Sequence, residues 1–178
     1  MEKTALLLDP VFLKHDPGRG HPESIGRYQA VSRILQTDGI TEKCKALPMR
    51  VATGKEILAC HDRLYFDRAR ADIAGGSDLL STGDTHVCAG SFDVALAAAG
   101  SVLNAIDGVF DGSFENAFCA VRPPGHHASS DRGMGFCIFN NVAIAARYAQ
   151  RKHGAERVVI IDWDVHHGNG TQDIFYED

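Results

Sequence analysis

The stretch AFCAVRPPGHHASSDRGMGFCIFNNVAIAARYAQRKHGAERVVIIDWDVHHGNG, residues 117–170, decides the fold class. Two uniformly apolar runs, Ala117 to Val121 and Val158 to Ile161, flank a segment with helical spacing from about Asn140 to His153, and Gly154 is a natural helix stop. That is a βαβ unit. Runs apolar on both faces suit central strands of a parallel sheet covered by helices on each side. In such sheets the ligand crevice lies beyond the carboxyl ends of the strands. Here Arg122-Pro-Pro-Gly-His126-His127 follows the first run, and Asp162-Trp-Asp164-Val-His166-His167-Gly-Asn169-Gly follows the second. If the two strands are neighbours, four histidines and two aspartates converge on one rim.

Working outward, the same alternation of short apolar runs and helical spacing extends upstream, which predicts an α/β fold. Thr4 to Leu8 reads as a strand, followed by a loop rich in Pro, Gly and His from Asp9 to Pro22. A helix is expected from about Ser24, with Ile25, Tyr28, Val31, Ile34 and Leu35 on one face. Thr53-x-x-Glu56 has the form of a capping box and should start another. A third helix is expected from Ser91 to about Asp107, closed by Gly108, with Phe92, Ala95, Leu96, Ala99, Leu103 and Ile106 on its core side. So many alanines imply close packing, so this helix should be largely buried. At 178 residues, 44% hydrophobic and without an internal repeat or convincing linker, the chain reads as one globular domain over residues 1–178.

Composition narrows the function classes. No run approaches the roughly 18 consecutive apolar residues of a membrane span, and the apolar run in MEKTALLLDP is too short for a signal peptide, so a cytoplasmic address is the default expectation. The five cysteines (Cys44, Cys60, Cys88, Cys119 and Cys137) are scattered and form no C-x-x-C pair, which reads as reduced thiols. A net charge of −5 argues against a general electrostatic grip on nucleic acid, while basic partners stay open.

The two polar clusters suggest metal-assisted hydrolysis. Asp164 and His166 lie two apart, so in an extended segment their side chains share a face and can share one cation. A catalytic zinc takes three protein ligands and an open position for water, so a third ligand must come from elsewhere. His126 and His127 sit in a loop stiffened by two prolines, and paired imidazoles beside a metal-activated water suit proton transfer. Asp162, on the Asp164 face, can accept a ring N–H from one of them and fix its tautomer. Taken alone, a His-His pair is usually surface decoration and Asp-x-Asp-x-His-His can be a polar turn. Both at adjacent strand ends are harder to dismiss. His15, His21, His61, His86 and His153 lack a comparable partner pattern and read as surface or structural residues.

The segments RPPGHHA, GMGFCIFNNVAIAARYA and RVVIIDWDVHHGNGTQDIFYED resemble the core blocks of the histone deacetylase superfamily, which includes acetylpolyamine amidohydrolases and acetoin-utilisation proteins. The likeness is specific over residues 117–178 and weaker in HPESIGRYQAV (21–31), ATGKEILACHDRLY (52–65) and GDTHVCAGSFDVALAAAG (83–100). It implies a three-layer arginase-like α/β fold with a central, mainly parallel sheet, one catalytic zinc, and hydrolysis of an acetylated amine, acetyl-lysine or acetylpolyamine, to release acetate. It implies that Asp164 and His166 are two zinc ligands, that His126 and His127 are the acid/base pair, and that Asp162 orients one of them. A structural potassium ion bound by the same DWDVHH segment would make Asp162, Asp164 and His166 serve twice. Phe136 would wall the substrate tunnel, Gly135 and Cys137 would lie near the acetyl end, and Asp84 would be the rim carboxylate that holds the substrate backbone. Asn169 leans towards the class II members.

The family's third zinc ligand, in an Asp-Ala-His-like segment, and its transition-state tyrosine, after a Gly-Gly, are not found in this sequence. One oxyanion donor of that kind is commonly worth about 2.7–4 kcal/mol. The chain therefore reads as the N-terminal portion of the family domain, with an open apolar sheet edge that predicts a homo-oligomer or a companion chain. Three functions stay open: a zinc deacetylase completed from elsewhere, a catalytically silent homologue acting through binding, and an arginase-like manganese hydrolase.

Overall fold

The computed structural model describes residues 3–37 and 39–178; Met1 and Glu2, which enter the reading of the amino terminus, lie outside the described residues, as does Asp38. Strand β1 (Thr4–Leu7) is the middle of three parallel strands in the order β2 (Lys45–Ala46), β1, β3 (Asn116–Cys119). Ala5 stands opposite Lys45 on one side and Ala117 on the other, and Leu7 stands opposite Cys119. Flanked on both edges, β1 buries Ala5 and Leu7 completely. Around the sheet are α1 (Ile25–Thr37), α2 (Gly54–Ile57), α3 (Arg63–Ala74), α4 (Ser91–Phe110), α5 (Asn141–His153) and α6 (Asn169–Phe175).

Helix α4 organises the core. Its Ala95, Ala99 and Leu103 join Ile57, Phe66, Ile138, Phe139 and Ile144 in one apolar cluster, with Phe92, Leu96 and Ile106 packed against it. Its Val94, Ala97, Ala98 and Ala105 join Ala5, Leu7, Phe12 and Phe114 in a second. A helix buried on both sides must be apolar all round and carry small side chains. For that reason α4 is long and apolar enough to cross a membrane by length and composition, yet here it is packed mostly inside the protein. The expected stop at Gly108 is not where the helix ends. It continues to Phe110, and Gly108 is a buried interior position where a Cβ would overlap the Phe114 ring. The glycine is there for close approach.

Other expectations fare differently. Thr53 and Glu56 form the reciprocal capping box, although the helix they start is one turn long. In α1 the helical period is right, but Val31 and Ile34 are 42% and 54% exposed and Tyr28 is the buried residue, its hydroxyl donating to the Asp9 carbonyl at 2.9 Å. Asn140 caps α5 by accepting the Ala143 N–H, and Gly154 ends it in the left-handed conformation (φ 70°).

The main correction concerns Val158 to Ile161. This run carries no strand among the described residues, and Val159 and Ile161 are 82% and 78% exposed. An extended segment becomes a strand only through a hydrogen-bonded neighbour. Here Ala117, Cys119 and Val121 on the β3 side and Ile160 and Ile161 on the other face each other across a cavity of about 530 Å³. The segment nevertheless delivers Asp162 to the end of β3, where the site lies.

Candidate active site

Beyond β3 the chain runs through Arg122 into the His126–His127 loop. Arg122 anchors that loop from below: its guanidinium holds the Glu23 carboxylate at 2.8 and 2.6 Å and the carbonyls of Phe12 and His15 at 2.7 and 2.5 Å. Burial would raise the Glu23 carboxyl. The hydrogen bonds and charges of His15 and Arg122 outweigh it and hold the group at about 2. The rings of His126 and His127 follow with centroids 4.1 Å apart.

Each ring is fixed through Nδ1 by the segment that follows Ile161. His126 Nδ1 meets Asp162 Oδ2 at 2.8 Å, and His127 Nδ1 meets Asn169 Oδ1 at 2.7 Å. A carboxylate only accepts, so His126 carries its proton on Nδ1, and the Asn169 oxygen dictates the same for His127. Both Nε2 lone pairs are left for proton transfer. Partial burial pushes the Asp162 carboxyl up, but the bonds from His126 and from the Asp164 amide (3.1 Å) hold it below the usual carboxylate range. Asp162, expected to accept a ring N–H from one imidazole, lies within hydrogen-bond distance of His126. The partner of the second imidazole, Asn169, was read in the sequence only as a class marker. The signal available was that a second buried-side imidazole needs its own acceptor from the same segment.

Asp164 and His166 also come together: His166 Nδ1 lies 2.8 Å from Asp164 Oδ1, and the His166 N–H donates to that oxygen at 2.9 Å. These bonds hold the Asp164 carboxyl low. The His166 ring lies 6.1 Å from that of His127, whereas His167 turns away to Gln172. Three of the four histidines therefore converge. A carboxylate and an imidazole this close have the donor chemistry of two ligands to one zinc. Among the described residues no group of three or more His, Cys, Asp or Glu side chains is placed so as to hold a metal ion.

Gly135, Phe136 and Cys137 follow in a turn whose Gly135 lies against the His127 ring. Gly135 has φ 55°, and a Cβ there would overlap the His127 ring, so only glycine lets the loop approach the imidazole. Phe136 also has positive φ (69°), and its ring packs edge-on against His21 at 4.5 Å, with His86 5.0 Å beyond. Cys137 is fully buried, and burial pushes its thiol up to about 12, which removes it as a nucleophile near neutral pH. Asp84 is exposed and accepts the Gly135 N–H at 2.8 Å, tying the rim to the wall.

The loop after β3 and the segment after Ile161 thus interlock a His-His pair with Asp and Asn partners, beside an adjacent Asp–His pair, on an α/β scaffold. The family profile described as histone deacetylase domain matches residues 21–178, and the chain belongs to that family. Histone deacetylase 6 of Caenorhabditis elegans is 44% identical over 167 residues, covering 89% of this chain and 18% of that protein. A histone deacetylase-like amidohydrolase of Pseudomonas aeruginosa is 40% identical over 158 residues, covering 88% and 41%. The crystal structure of the HDA15 HD domain superposes with a TM-score of 0.91 at 37% identity, over 98% of this chain and 51% of that one. The fold is the histone deacetylase-like α/β fold, and the chain spans about half or less of the length of these relatives.

Proposed function

We propose that this chain carries the acid–base half, and part of the metal set, of a zinc-dependent deacetylase that hydrolyses an acetylated amine, acetyl-lysine or acetylpolyamine, as part of a single catalytic domain. The observation that carries the reading is the double lock on the imidazole pair, Asp162 on His126 and Asn169 on His127. Asp164 and His166 would hold the zinc, which when bound polarises the acetyl carbonyl and the attacking water. With both Nδ1 atoms committed, the two Nε2 atoms face the reacting centre. One takes the proton released by the attacking water, and a protonated imidazole returns a proton to the amine as the C–N bond breaks. Phe136, packed edge-on against His21, would wall the path of the acyl-lysine stem, and Gly135 and Cys137 would lie near the acetyl end.

The silent-homologue reading draws on one observation: Asp164 and His166 are half to three-quarters exposed and bond each other. Metal content and acetate release decide between the two. The protein loaded with zinc should release acetate from acetyl-lysine peptide or acetylpolyamine, and His127→Ala should abolish it. No bound zinc and no turnover would leave the silent reading. Activity restored by manganese and not by zinc would favour the arginase-like alternative.

A further inference from the structure

Asn140 stands behind the imidazole pair as a hub. Its Oδ1 accepts the Ala143 N–H at 3.1 Å, and its Nδ2 donates to the Ala128 carbonyl at 3.0 Å and to Thr171 Oγ1 at 3.1 Å. Ala128 follows His127 directly, and the Thr171 N–H donates to the His126 carbonyl at 3.1 Å. One carboxamide therefore braces the backbone on both sides of the pair.

The backbone of Asn140 is itself held by a histidine that the mechanism does not use. The Asn140 N–H donates to His61 Nε2 at 2.9 Å. A backbone amide only donates, so this Nε2 presents a lone pair and the neutral ring keeps its proton on Nδ1. His61 is 3% exposed and wedged between Tyr65 and Phe139, with ring centroids 5.6 and 5.4 Å away. Its Nδ1 faces the backbone of Ser129 and Ser130, without a hydrogen bond of normal geometry to either. A leucine or phenylalanine would fill this space without a buried ring nitrogen to satisfy. What an apolar residue cannot supply is the acceptor for Asn140. The adjacent Asp62 N–H donates to the Ser130 carbonyl at 2.8 Å, so residue 62 holds the stretch after the imidazole pair while residue 61 holds the N-cap of α5. Burial pushes the His61 ring down to about 4, which keeps it neutral near physiological pH.

We propose that His61 is a positioning residue for the His126–His127 pair: its unprotonated Nε2 fixes the Asn140 amide, and the Asn140 side chain in turn fixes Ala128 and Thr171. The kinetic consequence rests on the deacetylase reading, whereas the bracing does not.

Two polar variants of similar size separate this role from core filling. In His61→Gln the side-chain oxygen reaches the place of Nε2; in His61→Asn it stops near the place of Nδ1. Two-bond 15N–1H correlations on the wild-type protein should show His61 with its proton on Nδ1. His61→Gln should keep the amide exchange of Asn140 and Thr171 slow and kcat close to wild type. His61→Asn should speed that exchange and lower kcat by about tenfold with KM unchanged, the usual scale for an outer residue that orients a catalytic group. A proton on Nε2 of wild-type His61, or equal behaviour of the two variants in exchange and kcat, would overturn the proposal. If neither variant folds, the wild-type tautomer decides. If the wild type turns over no acetylated substrate, the deacetylase reading falls, while exchange and tautomer still test the bracing.

Discussion

Replacing Arg122 with methionine should be among the most damaging single changes away from the reacting groups. The guanidinium makes two bonds to the Glu23 carboxylate, one each to the carbonyls of Phe12 and His15, and a longer one to the Glu23 carbonyl at 3.3 Å. Both side chains are about 5% exposed, at 4% and 6%. Methionine fills much of the volume but leaves a buried carboxylate facing only His15, whose Nε2 is 3.5 Å away. Breaking one partner of a buried pair costs about 3–5 kcal/mol. The Glu23 carboxyl gives a comparable figure: a fall from 4.5 to about 2 corresponds to about 3 kcal/mol at about 1.4 kcal/mol per unit. Against a typical domain stability of about 5–15 kcal/mol, the loss is severe. The pH dependence has a definite sign. A depressed carboxyl stabilises the fold above pH 4.5, and that stabilisation is lost as pH falls through about 2. Urea denaturation followed by far-UV circular dichroism should show the wild type weakening across that window, and Arg122→Met weakened already at neutral pH without the same slope. Arg122→Met combined with Glu23→Gln should be less damaged than the two single losses added together. A single-variant loss below about 1 kcal/mol, or additivity within about 0.5 kcal/mol in the double variant, would refute the reasoning.

The other predictions address different parts of the fold. Because the folded His61 ring sits at about 4 against an ordinary 6.5, its contribution is complete above 6.5 and is lost as pH falls towards about 4, by about 3 kcal/mol; urea midpoints against pH should show this slope, and His61→Gln should flatten it between those limits. Gly135→Ala should cost about 1–2 kcal/mol for the left-handed backbone, and because its Cβ overlaps His127 it should depress acetate release far more than it lowers the melting temperature; a proportionate loss of both would contradict this. Trp163 is the single tryptophan and is 92% exposed, beside Val159, Ile161 and Val165. Its fluorescence should be that of a hydrated indole at high dilution and become shielded from acrylamide as concentration rises, because an apolar strip of this kind favours association. A shielded indole at all dilutions would show the strip covered by its own chain.

What was legible in the sequence was mostly local. Thr53 and Glu56 announced their capping box, Gly154 its left-handed stop, and the core face of α4 followed from its helical period. Asp164 and His166 do lie together, but through a bend in which Asp164 Oδ1 accepts the His166 N–H rather than as same-face neighbours of an extended segment, and the Asp162–His126 contact joins residues 36 positions apart. Residues whose role depends on a distant neighbour were less legible. Gly108 looked like a terminator because nothing in its own segment reveals the Phe114 ring. Val158 to Ile161 has a strand's composition, but a ladder needs a partner that composition does not supply. His61 looked structural, and its bond to a residue 79 positions away could not be read from either local pattern.

The central claim is that Asp162 and Asn169, from the segment after Ile161, hold the His126 and His127 imidazoles with their protons on Nδ1 and their Nε2 atoms free. Two-bond 15N–1H correlation of the histidine side chains measures this directly. Both rings should show a protonated Nδ1, and Asp162→Ala and Asn169→Ala should each disturb the ring they hold and spare the other. A proton on Nε2 of either neutral ring, or ring signals indifferent to both substitutions, would contradict it.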